Sequence, residues 1–465
     1  MMIDLGAVSD WASNRFLSSD GSPKPNSPEY PICIASRRVK PIGECVWGGT
    51  ITQQNGDWVG CYTVMMQTSV IIEPYSCLLQ LRLPTMTNGY NRVCEQRKNI
   101  TKGTVLMRIV KCVAVVLFLM LSNSVMENCC AQSDTVKVFI LAGQSNMEGK
   151  AKNTLLEHQA QDAKTKELFN HLRSNDEWVV RDDAFIKFLD RSGGLTIGYG
   201  SPNKTGVELE FGTVLADHFD EPVLLIKTAW GGHSLYQKFR PPSLGLPASD
   251  RLEAELAKAV ERVKKNNEKN NRNDALPTMK SITEPYGISY RAMLAEVTDT
   301  QKNYQTMFPA LQGKKFELAG FVWFQGFNDM FGDYAPQEYQ ANMKQFIIDL
   351  RKDFNVPNLP VVIGALGQHG SGDPSENMKK VQVAQMAMNQ VVDFKGSVKS
   401  IYTHTLVDKE AERVFPGWQD HFEEWEKVGS DRPYHYLGSA IWFNRIGHAF
   451  ADEMLVLLKY ADGKK

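Results

Sequence analysis

Beyond Thr135 the chain alternates short, near-continuous apolar runs with longer amphipathic stretches. Five apolar runs predict buried strands: VKVFILAG, PVLLIKTAWGG, LAGFVWFQG, LPVVIGALG and GSVKSIYT. Apolar runs without polar alternation are typical of parallel strands that are covered on both faces. The intervening stretches predict helices, among them FGTVLADHF, PQEYQANMKQFIIDLRKDF, NMKKVQVAQMAMNQVV and GSAIWFNRIGHAFADEMLVLLKYA. This alternation predicts an α/β fold, a three-layer α/β/α sandwich around a mainly parallel sheet of the flavodoxin-like kind.

In an open parallel sheet, the functional site forms along the edge where the strands end. One charged segment, DRLEAELAKAVERVKKNNEKNNRNDALP, interrupts the alternation of strands and helices. It predicts a solvated helix and loop near the rim of that edge, although a charge run of this kind is usually an ordinary soluble surface.

Residues 107–131 have the pattern of a secretory signal peptide. Arg108 and Lys111 supply the positive start, an uninterrupted apolar run extends from Cys112 to Leu121, and small residues end the segment at Ala131. The run is short for a bilayer crossing, so we expect no stable membrane span. A short signal-anchor or a buried helix is the alternative interpretation.

Residues 1–106 read poorly as a domain, because they show little sustained periodicity and are rich in Pro, Ser, Asn and Gly. We expect this region to be disordered or absent from the natural product, with Met107 as the true start. The alternative is an internal anchor behind a genuine N-terminal domain. If Met107 is the start, the mature protein begins near Gln132 and is exported to the periplasm or the extracellular space.

Cysteine usage and charge narrow the function classes. All eight cysteines lie at or before Cys130, so the remaining stretch has no disulfide and no thiolate metal ligand. The 465-residue chain has a formal net charge of −1, so no global field recruits nucleic acid or an anionic membrane. A small substrate fits better, while the oligomeric state is not determined by these features.

Polar clusters follow the predicted strands at three places. Ser145 follows the first strand, where a hydroxyl is presented as at a nucleophile elbow, although a helix-capping serine is an equally good interpretation. The pair Gly231–Gly232 follows the second strand and permits a backbone amide to approach a reacting carbonyl; a tight turn is the simpler interpretation. The third strand is followed by WFQGFNDM, whose side-chain amides suit an oxyanion and whose ordinary role is an Asx turn.

A late histidine completes the set of candidates. His435 lies just before the final helix, where a loop can bring it to the sheet edge, although a lone histidine is usually structural. Its rivals as general base are His233, His369, His404 and His448. We expect no metal, because the chain has no H-E-x-x-H motif and no close cluster at ligand spacing.

Taken together and in order, these blocks resemble the SGNH hydrolase superfamily. They are most similar to its sialate O-acetylesterase-like and acetylxylan esterase branch, carbohydrate esterase family six. The matching blocks are G-Q-S-N-M at 143–147, G-G-x-S at 231–234, W-x-Q-G-x-x-D at 323–329, and GVELEFG with Glu208 at the acidic position. The resemblance covers about residues 136 to 456, so residues 132–465 are expected to form an SGNH-type esterase domain.

One departure concerns the last block, which is usually D-x-x-H in this superfamily. The residue three positions before His435 is Arg432, and Asp431 lies one position further away. Asp431 reaches the imidazole only if the loop bulges. Otherwise a different carboxylate orients His435, with Asp408, Asp420 and Glu423 as candidates, or the site is a Ser–His dyad.

The resemblance implies a serine hydrolase that removes O-acetyl groups from carbohydrate through an acyl-enzyme, without a cofactor. It implies catalytic Ser145, His435 and Asp431, and an oxyanion hole built from the N–H groups of Ser145 and Gly232 and the amide of Gln325 or Asn328. Asp329 and Glu208 would support these groups. The alternatives are a non-catalytic carbohydrate-binding protein with a hydrolase fold, and another SGNH esterase, lipase or thioesterase. Trp230, Tyr236, Trp323, Phe327 and Phe331 are either a sugar-stacking platform or packing residues.

Overall fold

The computed structural model describes residues 49–54, 57–62 and 134–462. The chain divides into two units, residues 1–124 and 125–465. In the first unit, β1 (Gly49–Gln54) and β2 (Asp57–Tyr62) form an antiparallel hairpin in which Gly49 pairs with Tyr62. The expectation for the rest of residues 1–106 and the signal peptide at 107–131 lie outside the described residues and stay predictions.

The second unit contains one large sheet and two short two-stranded ones. Its strands are β3 (Thr135–Gly143), β4 (Ala151–Lys152), β5 (Arg173–Ser174), β6 (Glu177–Trp178), β7 (Ala184–Phe188), β8 (Arg191–Gly194), β9 (Lys204–Thr205), β10 (Val223–Ala229), β11 (Lys315–Phe324), β12 (Val361–Ala365) and β13 (Val398–Tyr402). The large sheet has the order β13-β12-β11-β3-β10-β7-β8, with parallel pairing throughout except between β7 and β8. The predicted α/β fold with a mainly parallel sheet is confirmed, and all five predicted strands are present.

Helices cover both faces of this sheet. They are α1 (Ser145–Glu148), α2 (Asn153–Gln161), α3 (Glu208–His218), α4 (Ser249–Asn270), α5 (Met279–Thr283), α6 (Ile288–Met307), α7 (Ala335–Asp353), α8 (Glu376–Met386), α9 (Lys409–Val414), α10 (Phe422–Trp425) and α11 (Ala440–Asp462). The charged segment forms α4, as predicted from its sequence. Within residues 134–462, none of the helices combines the length and the apolar content that a bilayer crossing requires.

The central strand β3 shows how the apolar runs build two cores. Val138 and Ile140 point into a core shared with α6, α7 and α8, while Phe139 and Leu141 point into a second core shared with α3 and α11. Successive side chains of a strand face opposite sides, so a strand buried on both faces must be apolar at every position. All of these β3 residues are fully buried.

The order of the strands determines where a site can form. After β3 the chain forms β7, β8 and then β10 on one side of that strand, and it later returns to form β11 on the other side. In such sheets a crevice opens beyond the strand ends where the order reverses, and here that place is the end of β3. The three polar clusters predicted from the sequence follow β3, β10 and β11, so the fold places them around one crevice.

Candidate active site

Ser145 begins α1 immediately beyond β3. Gly143 is required there, because a Cβ at this position would lie 2.2 Å from the carbonyl oxygen of Phe324 at the end of β11. The tight approach lets the N–H of Gln144 donate to that carbonyl over 3.4 Å. Ser145 keeps 8% of its surface exposed, and neither its hydroxyl nor its backbone N–H has a hydrogen-bond partner among the described residues. The turn therefore presents an available hydroxyl at the sheet edge.

Gln144, the buried residue before it, connects β3 to the turn after β11. Its Oε1 accepts from Gln325 Nε2 at 3.1 Å and from the backbone N–H groups of Gly326 and Asn328, each at 3.3 Å. Its Nε2 donates to Asn328 Oδ1 at 2.9 Å. The last bond fixes the orientation of the Asn328 amide, so that Asn328 Nδ2 remains a donor without a partner among the described residues.

Gln325 is placed differently from Asn328. Its Nε2 lies near three acceptors, Gln144 Oε1 at 3.1 Å, the carbonyl oxygen of His233 at 3.0 Å and Asp329 Oδ2 at 2.6 Å. An amide nitrogen has two hydrogens, and here the protein itself already occupies both. Gln325 is also 1% exposed, so its amide organises the turn rather than facing the crevice.

Asp329 is the buried carboxylate that joins the loop after β10 to the turn after β11. It accepts the backbone N–H groups of Leu235 and Tyr236, each at 2.8 Å, and the amide of Gln325. Burial raises the pKa of Asp329 to about 6, against the opposing effect of these three hydrogen bonds. The side chain is fully buried, so its role in the geometry is to hold the Gly231–Gly232 loop next to Asn328.

The Gly231–Gly232 turn is held from its other side by Glu148, the last residue of α1. The N–H of Gly231 donates to Glu148 Oε1 at 2.5 Å, and Lys150 and Ser201 donate to Glu148 Oε2 at 2.8 and 2.9 Å. Burial alone would raise the pKa of Glu148, but the charge and hydrogen bond of Lys150, together with the hydrogen bonds of Ser201 and Gly231, outweigh it and lower the pKa. Gly232 has a φ of 77°, which favours glycine, and its own N–H has no partner among the described residues.

A fully buried ion pair lies beneath α1. Lys227 Nζ, from β10, contacts Glu208 Oε2 at 2.9 Å and donates to the carbonyl oxygens of Glu148 and Tyr199, each at 2.7 Å. Glu208 Oε1 accepts the N–H of Gly206. The ion pair therefore anchors the C-terminal end of the serine helix, which gives the acidic position of GVELEFG a structural part in the site.

The segment 431–438 brings a carboxylate to His435 despite the irregular spacing. Asp431 Oδ1 lies 3.1 Å from His435 Nδ1, and the chain turns between them because the N–H of His435 donates to the carbonyl oxygen of Arg432 at 2.9 Å. Directly after His435, Tyr436 and Leu437 have φ values of 53° and 59° and turn the chain back towards Asp431. The N–H of Asp431 donates to the carbonyl oxygen of Leu437 at 3.0 Å, which closes the coil. The loop bulges, and Asp431 contacts the imidazole from four positions away.

Asp431 is also bound by Lys204 Nζ, whose distance to Asp431 Oδ2 is 2.6 Å. Burial raises the pKa of Asp431, but the hydrogen bond and charge of His435 and the hydrogen bond of Lys204 outweigh it, so the pKa is held well below its usual range. The carboxylate is thus ionised at neutral pH. The other candidate carboxylates form no hydrogen bond or ion pair with His435: Asp408 caps α9 and binds Ser439, and the carboxylate paired with His435 is Asp431 rather than Asp420 or Glu423.

The serine turn and the histidine loop meet directly. Asn146 Nδ2 donates to the carbonyl oxygen of Tyr434 at 3.3 Å, and α1 packs against residues 433–438. The residue after Ser145 is therefore bonded to the residue before His435. Nearly three hundred positions of sequence separate these two pairs, and the sheet edge brings them into one crevice.

The rival histidines have other partners. His233 Nδ1 is 2.7 Å from Ser289 Oγ, and burial, with the nearby charge of Lys238, lowers its pKa to about 4. His448 pairs with Glu210 at 2.9 Å. His369 and His404 lie against each other, with ring centroids 4.7 Å apart, next to α8. Of the five candidates, His435 is the one hydrogen-bonded to Asp431 beside the serine turn.

The aromatic candidates separate into two groups. Trp323 and Tyr236 are buried and pack in the core, so the packing interpretation holds for them. Phe327 and Phe331 lie at the rim of the crevice with their ring centroids 5.3 Å apart, and Tyr434 lies 5.8 Å from Phe327. These three rings form a partly exposed apolar rim beside His435.

Three polar residues of the site were not predicted to act there: Gln144, Glu148 and Lys204. Gln144 stands inside the first quoted block, and its position after a fully apolar strand was a signal that a buried amide would be needed there. Glu148 and Lys204 carry no such signal, because their partners Gly231 and Asp431 are far away in the sequence.

An ester hydrolase of the α/β/α sandwich type is the class that this fold and arrangement of side chains define. The family profile described as "Carbohydrate esterase, sialic acid-specific acetylesterase" matches residues 135–282 and 285–412, more than half of the chain. The chain belongs to this family, and it is a carboxylic ester hydrolase. The resemblance seen in the sequence blocks is thereby confirmed.

The individual proteins and solved structures that are similar to this chain have low sequence identity to it. A probable carbohydrate esterase from Arabidopsis thaliana is 29% identical over 98 residues, which are 21% of this chain and 37% of that relative. The crystal structure of an Arabidopsis thaliana protein aligns over 69% of this chain and 97% of its own, with 16% identity and a TM-score of 0.39. A carbohydrate acetylesterase from Xanthomonas citri aligns over 58% of this chain and 50% of its own, with 14% identity and a TM-score of 0.35. The crystal structure of NanS aligns over 58% of this chain and 78% of its own, with 15% identity and a TM-score of 0.31.

Proposed function

We propose that the protein is a serine esterase that removes O-acetyl groups from carbohydrate through an acyl-enzyme. Ser145 is the nucleophile, His435 is the general base, and Asp431 orients the imidazole. The observation that carries the proposal is the bond from Asn146 to the carbonyl oxygen of Tyr434, which ties the serine turn to the histidine loop. The Asp431–His435 contact at 3.1 Å supports a triad rather than a Ser–His dyad.

In the proposed acylation step, His435 takes the proton of Ser145 as the hydroxyl oxygen attacks the acetyl carbonyl carbon. The ionised Asp431 holds the imidazole in one tautomer and stabilises the imidazolium that forms. His435 then gives the proton to the sugar oxygen as that alcohol leaves. Water, deprotonated by the same histidine, then attacks the acetyl-serine. The bond from the acetyl carbon to Ser145 Oγ breaks, His435 returns the proton to Ser145 Oγ, and acetate leaves, so water is the one reactant consumed besides the ester.

The oxyanion of the tetrahedral intermediate needs donors that are free in the resting protein. The N–H groups of Ser145 and Gly232 and the amide of Asn328 meet this condition among the described residues. Gln325 does not, because its amide is already bound to protein acceptors. We therefore assign the side-chain donor to Asn328 and a positioning role to Gln325. One such donor is commonly worth about 3 kcal/mol of transition-state stabilisation.

The acetyl group and the sugar are inferred from the family, whose description names a sialic acid-specific acetylesterase. The partly exposed rings of Phe327, Phe331 and Tyr434 offer an apolar rim on which a pyranose can lie. The pairing of Asp431 with His435 supports the esterase over a non-catalytic binding protein, because that alternative rested on the missing D-x-x-H.

Acetate release from acetylated xylo-oligosaccharides and from O-acetylated sialic acid tests this function, with Ser145→Ala beside the wild-type protein. We expect release by the wild type and a loss of at least about a thousandfold in the variant. Release that is independent of Ser145 would refute the acyl-enzyme. A series of p-nitrophenyl esters should show preference for acetyl, and preference for long acyl chains would indicate a lipase or thioesterase instead.

We also propose that the esterase domain is exported. The support is the signal-peptide pattern at 107–131, with its positive start, short apolar core and small residues before Gln132. N-terminal sequencing of the protein from its natural source should give a mature start near Gln132, and an intact Met1 would contradict this proposal.

A further inference from the structure

A second pocket has Asp431 in its wall. It is a cavity of about 470 Å³ between α2 and the segment 418–432, and we call it the Trp418 pocket. Its functional side chains are those of Lys152, His158, Trp418, Phe422, Lys427 and Arg432. The volume lies within the range of about 300–1,000 Å³ that is usual for small-molecule sites. The reaction proposed above does not use these six side chains.

The pocket contains more positive charge than its own acids can balance. The side chains of Lys152, Lys427 and Arg432 have no carboxylate partner within residues 134–462. The acidic lining residues are Asp431, which is committed to Lys204 and His435, and Glu426. Charges of one sign that line a concave surface raise the local concentration of ions of the opposite sign. The pocket therefore favours an anionic ligand.

Arg432 is held in a defined orientation. Its Cζ lies 4.7 Å from the centroid of the Trp418 ring, so the guanidinium is attracted to the indole face. A stacked guanidinium keeps the N–H groups at its edge available, and that edge matches the two oxygens of a carboxylate. No hydrogen-bond acceptor among the described residues takes these N–H groups.

The remaining wall of the pocket is aromatic. The rings of Trp418 and Phe422 have centroids 6.0 Å apart, and Phe422 is 47% exposed. Large exposed aromatic surface suits a ligand with one apolar face, such as the C–H face of a pyranose. An aromatic wall beside unpaired cations fits a sugar that carries a carboxylate better than it fits a bare inorganic anion.

The pocket is also joined to the proposed catalytic residues. The N–H of Arg432 donates to Asp431 Oδ1 at 2.8 Å, and the same oxygen lies 3.1 Å from His435 Nδ1. We propose that the Trp418 pocket binds a carboxylated sugar unit of the glycan whose acetylated unit is at Ser145. The binding of a carboxylated sugar is inferred from the pocket alone, whereas the placement of the acetylated unit at Ser145 rests on the proposed esterase function.

Binding is measured on Ser145→Ala, so that no turnover is involved, by saturation-transfer NMR with glucuronate, N-acetylneuraminate and glucose. We expect at least one of the two acids to bind at least tenfold more tightly than glucose, and the stronger of the two identifies the type of acid. The advantage should disappear in Arg432→Gln and in Lys152→Gln. It should persist in Lys264→Gln, which removes an exposed charge on α4 and serves as the matched control.

Equal binding of acids and glucose would overturn the proposal, as would an advantage that survives Arg432→Gln and Lys152→Gln. Binding of inorganic phosphate in place of either acid would also overturn it. In a second measurement on the wild type, an acetylated xylo-oligosaccharide with a glucuronate branch is compared with its neutral counterpart. Acetate release from neither of these compounds, and none from O-acetylated sialic acid, would refute the esterase function, while the binding result would still decide on the pocket.

Discussion

Gln144 and Asn328 are joined by a hydrogen bond of 2.9 Å from the Gln144 amide to Asn328 Oδ1. The bond links the residue before the proposed nucleophile with the residue proposed to bind the oxyanion. It determines which end of the Asn328 amide is free, and that end is the donor. In the proposed mechanism, the buried amide of Gln144 therefore acts on the oxyanion through the orientation of Asn328.

Gln144→Glu should reverse this orientation. A glutamate has no N–H to donate, so Asn328 would turn its own amide towards the new carboxylate and no longer offer a donor to the oxyanion. We expect kcat on an acetyl ester to fall by about a hundredfold or more with little change in KM. Asn328→Ala should lose a similar factor, and the double variant should lose little beyond either single change. If the kcat losses of the two single variants multiplied in the double variant, Gln144 would not act through Asn328.

Asp431→Asn tests the triad assignment. The amide cannot stabilise the imidazolium and favours the wrong tautomer of His435, a change that has cost about 10⁴ in kcat in a serine protease. We expect a loss of several orders of magnitude in kcat with the fold intact by circular dichroism. Asp420→Asn is the matched control, because that carboxylate was a candidate by sequence and does not contact His435; a comparable loss there would reject Asp431 as the orienting group.

The buried pair of Lys227 and Glu208 should matter most for stability. Removing one partner leaves the other charge buried without compensation, which is typically destabilising by about 3–5 kcal/mol. Glu208→Gln and Lys227→Met should each lower the free energy of unfolding by this order in urea denaturation. The double variant Lys227→Met/Glu208→Leu should recover part of the loss. A single variant within about 1 kcal/mol of the wild type would show that the pair is not a net support.

Asp329 predicts a specific dependence of stability on pH. Burial raises its pKa from the ordinary value of 3.8 to about 6, so the folded state holds the proton more tightly than the unfolded state does. Stability from this group is therefore fully present below about pH 4 and is lost as the pH rises through 6, by about 3 kcal/mol. Between pH 4 and 7 the wild type should lose about this much more stability than Asp329→Asn. Parallel pH curves for the two proteins would disprove the buried-carboxylate account.

The sequence by itself determined the layers of the fold. Near-continuous apolar runs such as the one ending at Gly143 are typical of strands covered on both faces, and their alternation with amphipathic helices predicts a layered α/β architecture. Strands β7 and β8 were not predicted, because AFIKF is short and contains a lysine, and RSGG has no apolar pattern. The sequence also placed Ser145, Gly232, Asn328 and His435 at strand ends or loops, which is a local property of the chain.

Only the tertiary structure decided how these residues are paired. Asp431 was an uncertain candidate because its spacing from His435 departs from the usual pattern, and the turn between Arg432 and His435 that brings the imidazole to the carboxylate cannot be read from residue types. The choice between Gln325 and Asn328 depended on which amide the protein had already saturated, and the contacts of Lys204 and Glu148 depended on chain segments far away. Hydrogen bonds are short-ranged and directional, so the partner of a side chain depends on distances in the folded protein. The burial of a residue, in contrast, can be predicted from the apolar pattern of the sequence around it.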